Sequence, residues 1–330
     1  MERIKLGSSD FTAEIWSRGA CVNDLRMPDR DGKIASVVLG YGTEEDRMKG
    51  SAYIGEMCGP FANRIAAGGY TIDGQQFKPD LNDQGRATLH GGPHGWSYQD
   101  WEVVRADQNS AHLRLVWTDP TGGFPGPISV EVTYQLNHMW LSHTVTATCE
   151  VPTILSVVSH PYFNLSGTDE TIDDHELFIT ANSYLPVDEA LIPLPQAPVS
   201  VEGTPFDFRN RTRLRDALNS PHPQIQLAGG IDHALILDGD GMRVVARMRH
   251  QASGRWMEIL TNYPALQVYT GQYLSDSKVL HPIGAGTART GIALETEEYP
   301  DAPRRQDFPS ALVRPGQIYT RTTVWGFGID

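Results

Sequence analysis

The chain has 330 residues and about 36.5 kDa, with 27 Lys plus Arg against 40 Asp plus Glu and a formal net charge of −13. An acidic chain with no dense Lys/Arg cluster is repelled by nucleic acid and by anionic membranes, so neither partner is expected. Three scattered cysteines, Cys21, Cys58 and Cys149, with no CxxC among them, give neither a zinc-binding pattern nor a disulfide framework.

In chain order, the opening Met1 to Trp16 holds no apolar leader, and no later run reaches the ~18 apolar residues of a membrane span, so a reduced, cytoplasmic setting is expected. Pro28 to Gly32 reads as a turn, and Thr43-Glu-Glu-Asp46 has the form of a capping box opening a helix of a turn or two before Gly50. Leu113 to Trp117 reads as a strand, followed by the turn Asp119 to Gly123. Ile128 to Leu136 alternates apolar and polar residues, and Leu141, His143, Val145, Ala147, Cys149 and Val151 do the same, which puts one face of each strand in a core. Asn137 to Trp140 between them is the hairpin loop. Leu214, Ala217 and Leu218 share a helical face that Pro221 ends. Further strands are expected at Val244 to Met248, after the turn Asp238 to Gly241, and at Trp256 to Leu260, Leu266 to Thr270 and Tyr319 to Phe327. No helix long enough for a βαβ crossover recurs, so the reading is a mostly antiparallel, all-β sandwich forming one domain over 1–330.

Several chemical motifs are missing. There is no GxSxG and no Walker loop, and Gly40-Tyr-Gly42 and Gly284-Ala-Gly286 each begin a GxGxxG without its third glycine or a following helix. His90 and His94 have the i, i+4 spacing of zinc ligands, but Gly91-Gly92-Pro93 between them does not hold a helical turn, so no metal site is assigned.

Four segments concentrate polar residues beyond what a sandwich core requires: Cys58 to Ile65 with Gly68 to Tyr70, Thr88 to Gly92, Ser159 to Gly167, and Gly291 to Thr296. Singly, each has an ordinary structural role: Arg64 as a surface charge, Asn63 as a turn residue, His90 bonded to a loop carbonyl, His160 half-buried in a strand, Glu295 one of several solvated acids. Local chemistry favours more. Pro161 pins His160 extended. Gly91 and Gly92 allow backbone to approach a ligand closely. Ile292 and Leu294 mark a buried face, with Ala293 and Glu295 on the other. Trp96, Trp101, Tyr162 and Phe163 offer flat apolar surfaces of the kind that stack on a sugar ring.

Together the motifs resemble the galactose mutarotase (aldose 1-epimerase) family across nearly the whole chain. They run, in order, Arg18-Gly-Ala20, Pro28 to Gly32, Val38-Leu-Gly40, Ala62-Asn-Arg-Ile65, Leu89-His-Gly-Gly92, Gly123-Phe-Pro-Gly126, His160-Pro-Tyr-Phe-Asn-Leu165, Gly203 to Phe208, Ile231-Asp-His233, Gln267 to Gly271, Leu294-Glu-Thr296 and Tyr299 to Ala302. The resemblance implies a large twisted antiparallel β-sandwich, the mutarotase-like supersandwich, with a few short helices. It implies interconversion of the α and β anomers of a free monosaccharide with no cofactor. Glu295 is implied as general base and His160 as general acid, with His90, Arg64 and Asp232 binding the sugar and Asn63 in support. Nearby anions, Glu295 and Asp232, are expected to favour protonated His160. The chain departs from the family pattern at Pro60, at Ile231, at Leu194-Pro195 and at Glu297, which stands where the family usually carries Gln. Other readings are an epimerase of a sugar phosphate, which Arg304 and Arg305 leave open, a non-catalytic carbohydrate-binding protein, and a glycosidase using Asp232 and Glu295.

Overall fold

In the computed structural model, which describes residues 1–7, 10–274 and 287–330, the alternation over Ile128–Asn137 and Trp140–Cys149 builds the middle of a nine-stranded antiparallel sheet. The strand order is Glu102–Ala106, Ser110–Trp117, Ile128–Asn137, Trp140–Cys149, Tyr319–Ile329, Arg255–Thr261, Arg243–His250, His175–Ile179 and Thr212–Arg213. Gly284 to Gly286 lie outside the described residues.

Two details of the hairpin differ from the sequence reading. Asn137 pairs with Trp140, so the loop is only His138-Met139, made tight by a left-handed His138 (φ +51°). The second strand stops at Cys149, and Val151 is exposed. Its partner Ile128 follows Pro127, and Pro152 follows Val151, so neither side can extend the ladder.

A six-stranded antiparallel sheet packs over the first, in the order Tyr162–Phe163, Ile292–Glu297, Ala265–Tyr269, Asp232–Leu237, Ala181–Tyr184 and Val199–Ser200. Leu266, Val268, Ile292 and Leu294 share one core with Val130, Val132, Tyr134, Leu141 and Val145 of the larger sheet. Thr296 Oγ1 and Thr323 Oγ1 meet at 2.6 Å across the interface, a polar link between two apolar faces. A four-stranded sheet of Arg3–Leu6, Thr12–Trp16, Cys21–Pro28 and Ile34–Ser36 adds its apolar residues to the same core.

Helices are short. Thr43 caps Glu44–Lys49, its hydroxyl accepting from Asp46 N–H at 3.1 Å, and the helix ends at Gly50. Leu214–Leu218 ends before Pro221 as expected. A further helix, Pro223–Ala228, had its signals in plain view: Pro at the first turn and a left-handed Gly229 at the end. No helix among the described residues is long and apolar enough to cross a membrane.

Candidate active site

The outer face of the six-stranded sheet carries the site. In Ile292–Glu297 the even residues enter the core, so Ala293, Glu295 and Glu297 point the other way, as the alternation predicts. All six residues of the strand are buried, and Tyr53, Asn63 and His90 border the cavity on that face. Register supplies the neighbours: Glu295 lies opposite Gln267, and Tyr269 lies opposite both Ala293 and Asp232. Side chains opposite or diagonal across a sheet are within reach of each other, and Gln267 Nε2 donates to Asp232 Oδ1 at 2.5 Å.

His160 sits between two short strands. Val158–Ser159 pairs with Met57–Cys58, and Tyr162–Phe163 pairs with Ile292 and Ala293. Its own N–H donates to Glu56 O at 2.9 Å, and its carbonyl accepts from Gly55 N–H at 2.9 Å. With Pro161 following, the backbone is held extended and the imidazole is aimed at Glu295: His160 Nε2 lies 3.3 Å from Glu295 Oε1. Downstream, buried Arg255 donates to the carbonyls of Leu165 and Ser166 on one side and of Met27, Pro28 and Lys33 on the other, fastening the segment that carries His160 to the four-stranded sheet.

Arg64 and His90 come from a two-stranded ribbon, Arg64–Ala66 paired with Ala87–Leu89. Asn63 and His90 flank it and grip each other: His90 N–H donates to Asn63 O at 3.1 Å, and Asn63 N–H donates to His90 Nδ1 at 3.2 Å. Because Nδ1 accepts, the His90 proton is on Nε2, which leaves a donor for a ligand. Three non-glycine residues in the left-handed region, Tyr53 (φ +54°), Asn63 (φ +60°) and His90 (φ +52°), border one cavity. Each costs about 1–3 kcal/mol, and strain of this kind gathers where a site must be pre-shaped.

That cavity, about 250 Å³, is lined by all six residues expected from sequence: Asn63, Arg64, His90, His160, Asp232 and Glu295. Tyr53, Tyr162, Gln267, Tyr269 and Tyr273 are also among its walls. The Tyr53 ring stands 4.6 Å from that of His90 and 6.3 Å from that of His160, centroid to centroid. Gln267 occupies the polar side of an alternating strand and was readable as a site residue. Tyr53, on a loop, carries no local signal. A larger groove of about 560 Å³ holds Arg304 and Arg305 but no histidine, so size alone does not mark the site.

Some expectations fail. Trp96, Trp101 and Phe163 are core residues, the two tryptophans edge to face at 6.1 Å; of the proposed stacking groups only Tyr162 reaches the cavity. The room that Gly91 leaves belongs to the protein itself, since a Cβ there would stand 2.0 Å from Gly59 O. His94 is exposed and outside the cavity wall. Arg64 is no surface charge: its side chain is 12% exposed, with Nε donating to Asp83 at 2.7 Å and Nη1 3.8 Å from Asp232.

The protonation expected for His160 also reverses. Burial disfavours the imidazolium and pulls His160 down to about 4. Burial, then the Asp232 charge, pushes Glu295 well above the usual carboxylate range, against the pull of Arg64. Burial likewise pulls His90 well down, with His160 and Arg64 adding to it. Burial works against the Arg64 cation, but Asp232 and Asp83 outweigh it. Desolvation thus beats attraction between His160 and Glu295. Donor atoms of His90, His160 and Glu295 lie within 4.8 Å of one another, so three proton-handling groups meet at one point. The Arg64 guanidinium on the same wall repels a second cation, and the set suits an uncharged, hydroxyl-rich ligand.

The family model for aldose 1-epimerase matches residues 2–325. The chain is 36% identical to the galactose mutarotase of Bos taurus over 332 residues, covering all of this chain and 94% of that one. It is 34% identical to the aldose 1-epimerase of Escherichia coli K12 over 316 residues, covering 94% and 90%. Among solved structures, the GalM/aldose epimerase homologue from C. elegans superposes with a TM-score of 0.91 at 30% identity, over 99% of both chains. The chain belongs to the aldose 1-epimerase family.

Proposed function

We infer that the chain is an aldose 1-epimerase that interconverts the α and β anomers of a free monosaccharide. The observation that carries this is the 3.3 Å contact between His160 Nε2 and Glu295 Oε1 in a cavity walled by hydrogen-bonding side chains. Ring opening needs one group to take the proton of the C1 hydroxyl and another to give one to the ring oxygen. The shared proton passes from Glu295 Oε1 to His160 Nε2 across that contact; Glu295 then takes the C1 hydroxyl proton as the C1–O5 bond breaks and the C1 carbonyl forms, and His160 delivers its proton to O5. The free aldehyde turns about C1–C2. On closure O5 attacks the other face of C1, His160 recovers its proton and Glu295 returns the other to the carbonyl oxygen. Protons balance over the cycle, and the chemistry asks for no cofactor. His90 Nε2–H, the Arg64 fork and the Asp232 carboxylate hold the remaining hydroxyls, with Asn63 in support.

Such a cycle runs on one proton shared by the pair, and the pKa directions favour that state across a wide range. The acid limb of kcat/KM appears where His160 binds a second proton, near its value of about 4. The alkaline limb appears where Glu295 gives up the shared one, well above the usual carboxylate range. Between pH 5 and 7, kcat/KM is expected to vary by less than roughly twofold. A pH titration that instead breaks at the ordinary histidine value of about 6.5 contradicts this.

The activity itself is tested by polarimetry on freshly dissolved α-D-glucose, α-D-galactose and an aldopentose. Equilibration faster than in buffer is expected for at least one sugar, and rates equal to buffer on all of them reject the reading. A sugar-phosphate substrate finds no support in Arg305, whose guanidinium is spent on Asp307 and on the carbonyls of Leu194, Pro195 and Ala197 away from the cavity.

A further inference from the structure

Glu297 has no part in the cycle above, yet it is fully enclosed two residues from Glu295 on the same side of the strand. Its Oε1 accepts from Asn63 Nδ2 at 3.1 Å, and Oε2 meets no donor among the described residues. Among the described residues no cation is paired with it: the Arg321 guanidinium is taken by Glu298 at 2.7 Å. Among the described residues, the titratable groups whose charges act with it are Glu295 and Glu298 along its own chain, Asp232 of the same sheet and the Tyr263 phenol, all acids. An anion so enclosed, with one oxygen unpaired, is strongly disfavoured, and the carboxyl keeps its proton instead. Of two neighbouring carboxyls, the one nearer positive charge ionises first. That is Glu295, which feels Arg64 and touches His160. Burial, then the charge of Glu295, holds Glu297 well above the usual range.

Asn63 gives this acid a task. The Asn63 Oδ1 accepts from Arg64 N–H at 2.8 Å, and its backbone grips His90 at both ends. A side-chain amide has one donating and one accepting end and can be turned over. By capturing the donating end, Glu297 Oε1 leaves the accepting end to Arg64.

We propose that Glu297 is a positioning residue held as an uncharged carboxylic acid: its carbonyl oxygen sets the Asn63 amide, and through it His90 and Arg64, while its neutrality spares Glu295 an adjacent anion. This rests on Glu295 being the base. The test compares Glu297→Ala and Glu297→Gln in steady-state anomerisation from pH 5 to 10, with an infrared difference spectrum of wild type against Glu297→Gln at neutral pH.

Glu297→Ala is expected to raise KM roughly tenfold with a smaller fall in kcat, because binding groups lose their anchor. Glu297→Gln, whose amide keeps a carbonyl oxygen for Asn63, recovers KM to within roughly threefold of wild type. Its alkaline limb stays within about half a pH unit, since one uncharged group replaces another. The infrared difference shows the loss of a protonated carboxylic acid. Loss of carboxylate bands, or an alkaline limb moved down by about one unit as a lost anion lowers the proton affinity of Glu295, overturns the proposal. So does a wild-type KM in Glu297→Ala, or a KM in Glu297→Gln as poor as in Glu297→Ala. If Glu297→Ala does not fold, the Glu297→Gln limb and the spectrum decide. The spectrum needs no turnover, so it judges the protonation of Glu297 even where the wild type fails to speed anomerisation, which overturns only the underlying reading.

Discussion

Glu295→Gln and His160→Asn are each expected to slow anomer equilibration by about 10²–10⁴-fold, the usual contribution of a positioned proton-transfer group. Gln is isosteric with Glu, and Asn, though smaller than His, keeps a polar group at the same place. His160 is anchored by its backbone bonds to Gly55 and Glu56, which Asn retains. Glu295 is buried with Oε2 unpartnered and burial favours its protonated, uncharged form, so an amide there replaces one neutral group by another of the same shape. The melting temperature should therefore stay level or rise in Glu295→Gln while activity collapses, a split that a merely structural residue does not produce. The double variant should be little worse than either single, because the two groups act as one unit. Polarimetry over a range of sugar concentrations separates kcat from KM. A loss below about tenfold in both single variants would remove the acid–base pair from the mechanism.

The second large effect is on stability. Arg47 and Glu56 form a buried ion pair at 3.1 Å, each side chain 2% exposed, and Arg47 also donates to Ser97 O. Arg47→Leu strands Glu56, and breaking one side of such a pair typically costs about 3–5 kcal/mol. The sign of the pH dependence follows from Glu56, which burial pushes up to about 7 against the pull of Arg47. An acid whose folded value is raised contributes stability that is present at low pH and is lost as pH rises through that value. Without Arg47 the value rises further, so the deficit should be larger at pH 8 than at pH 5. Arg47→Leu with Glu56→Gln should be more stable than Arg47→Leu alone at pH 8, since no anion is left behind. Denaturant melts at the two pH values measure this, and a deficit under about 1 kcal/mol at pH 8 contradicts it. The effect should reach catalysis, because the Glu56 carbonyl holds the His160 N–H.

How well the chain could be read in advance depended on segment length. The strands Ile128–Asn137, Trp140–Cys149 and Tyr319–Ile329 are long enough for alternation to show, and they form the middle of the large sheet. Met57–Cys58, Val158–Ser159 and Arg64–Ala66 are too short to carry a period, yet they hold His160 and Arg64 in place. Misreadings share one cause. Residue type suggests stacking for Trp96 and Trp101 and close ligand approach at Gly91, but packing gives all three other partners. Tyr53 reaches the cavity through a left-handed backbone on a loop, which residue type does not announce.

The residue order determined the β-class and the face on which Glu295 lies, because alternation is a local property of the chain; the six polar side chains that meet in the cavity were legible only through the resemblance to the aldose 1-epimerase family that the ordered motifs carry. The tertiary structure alone decided the charge on those groups. Proton affinity follows from how much water and which charges surround a side chain, and the walls around His160, Glu295 and Glu297 come from segments tens to hundreds of residues apart.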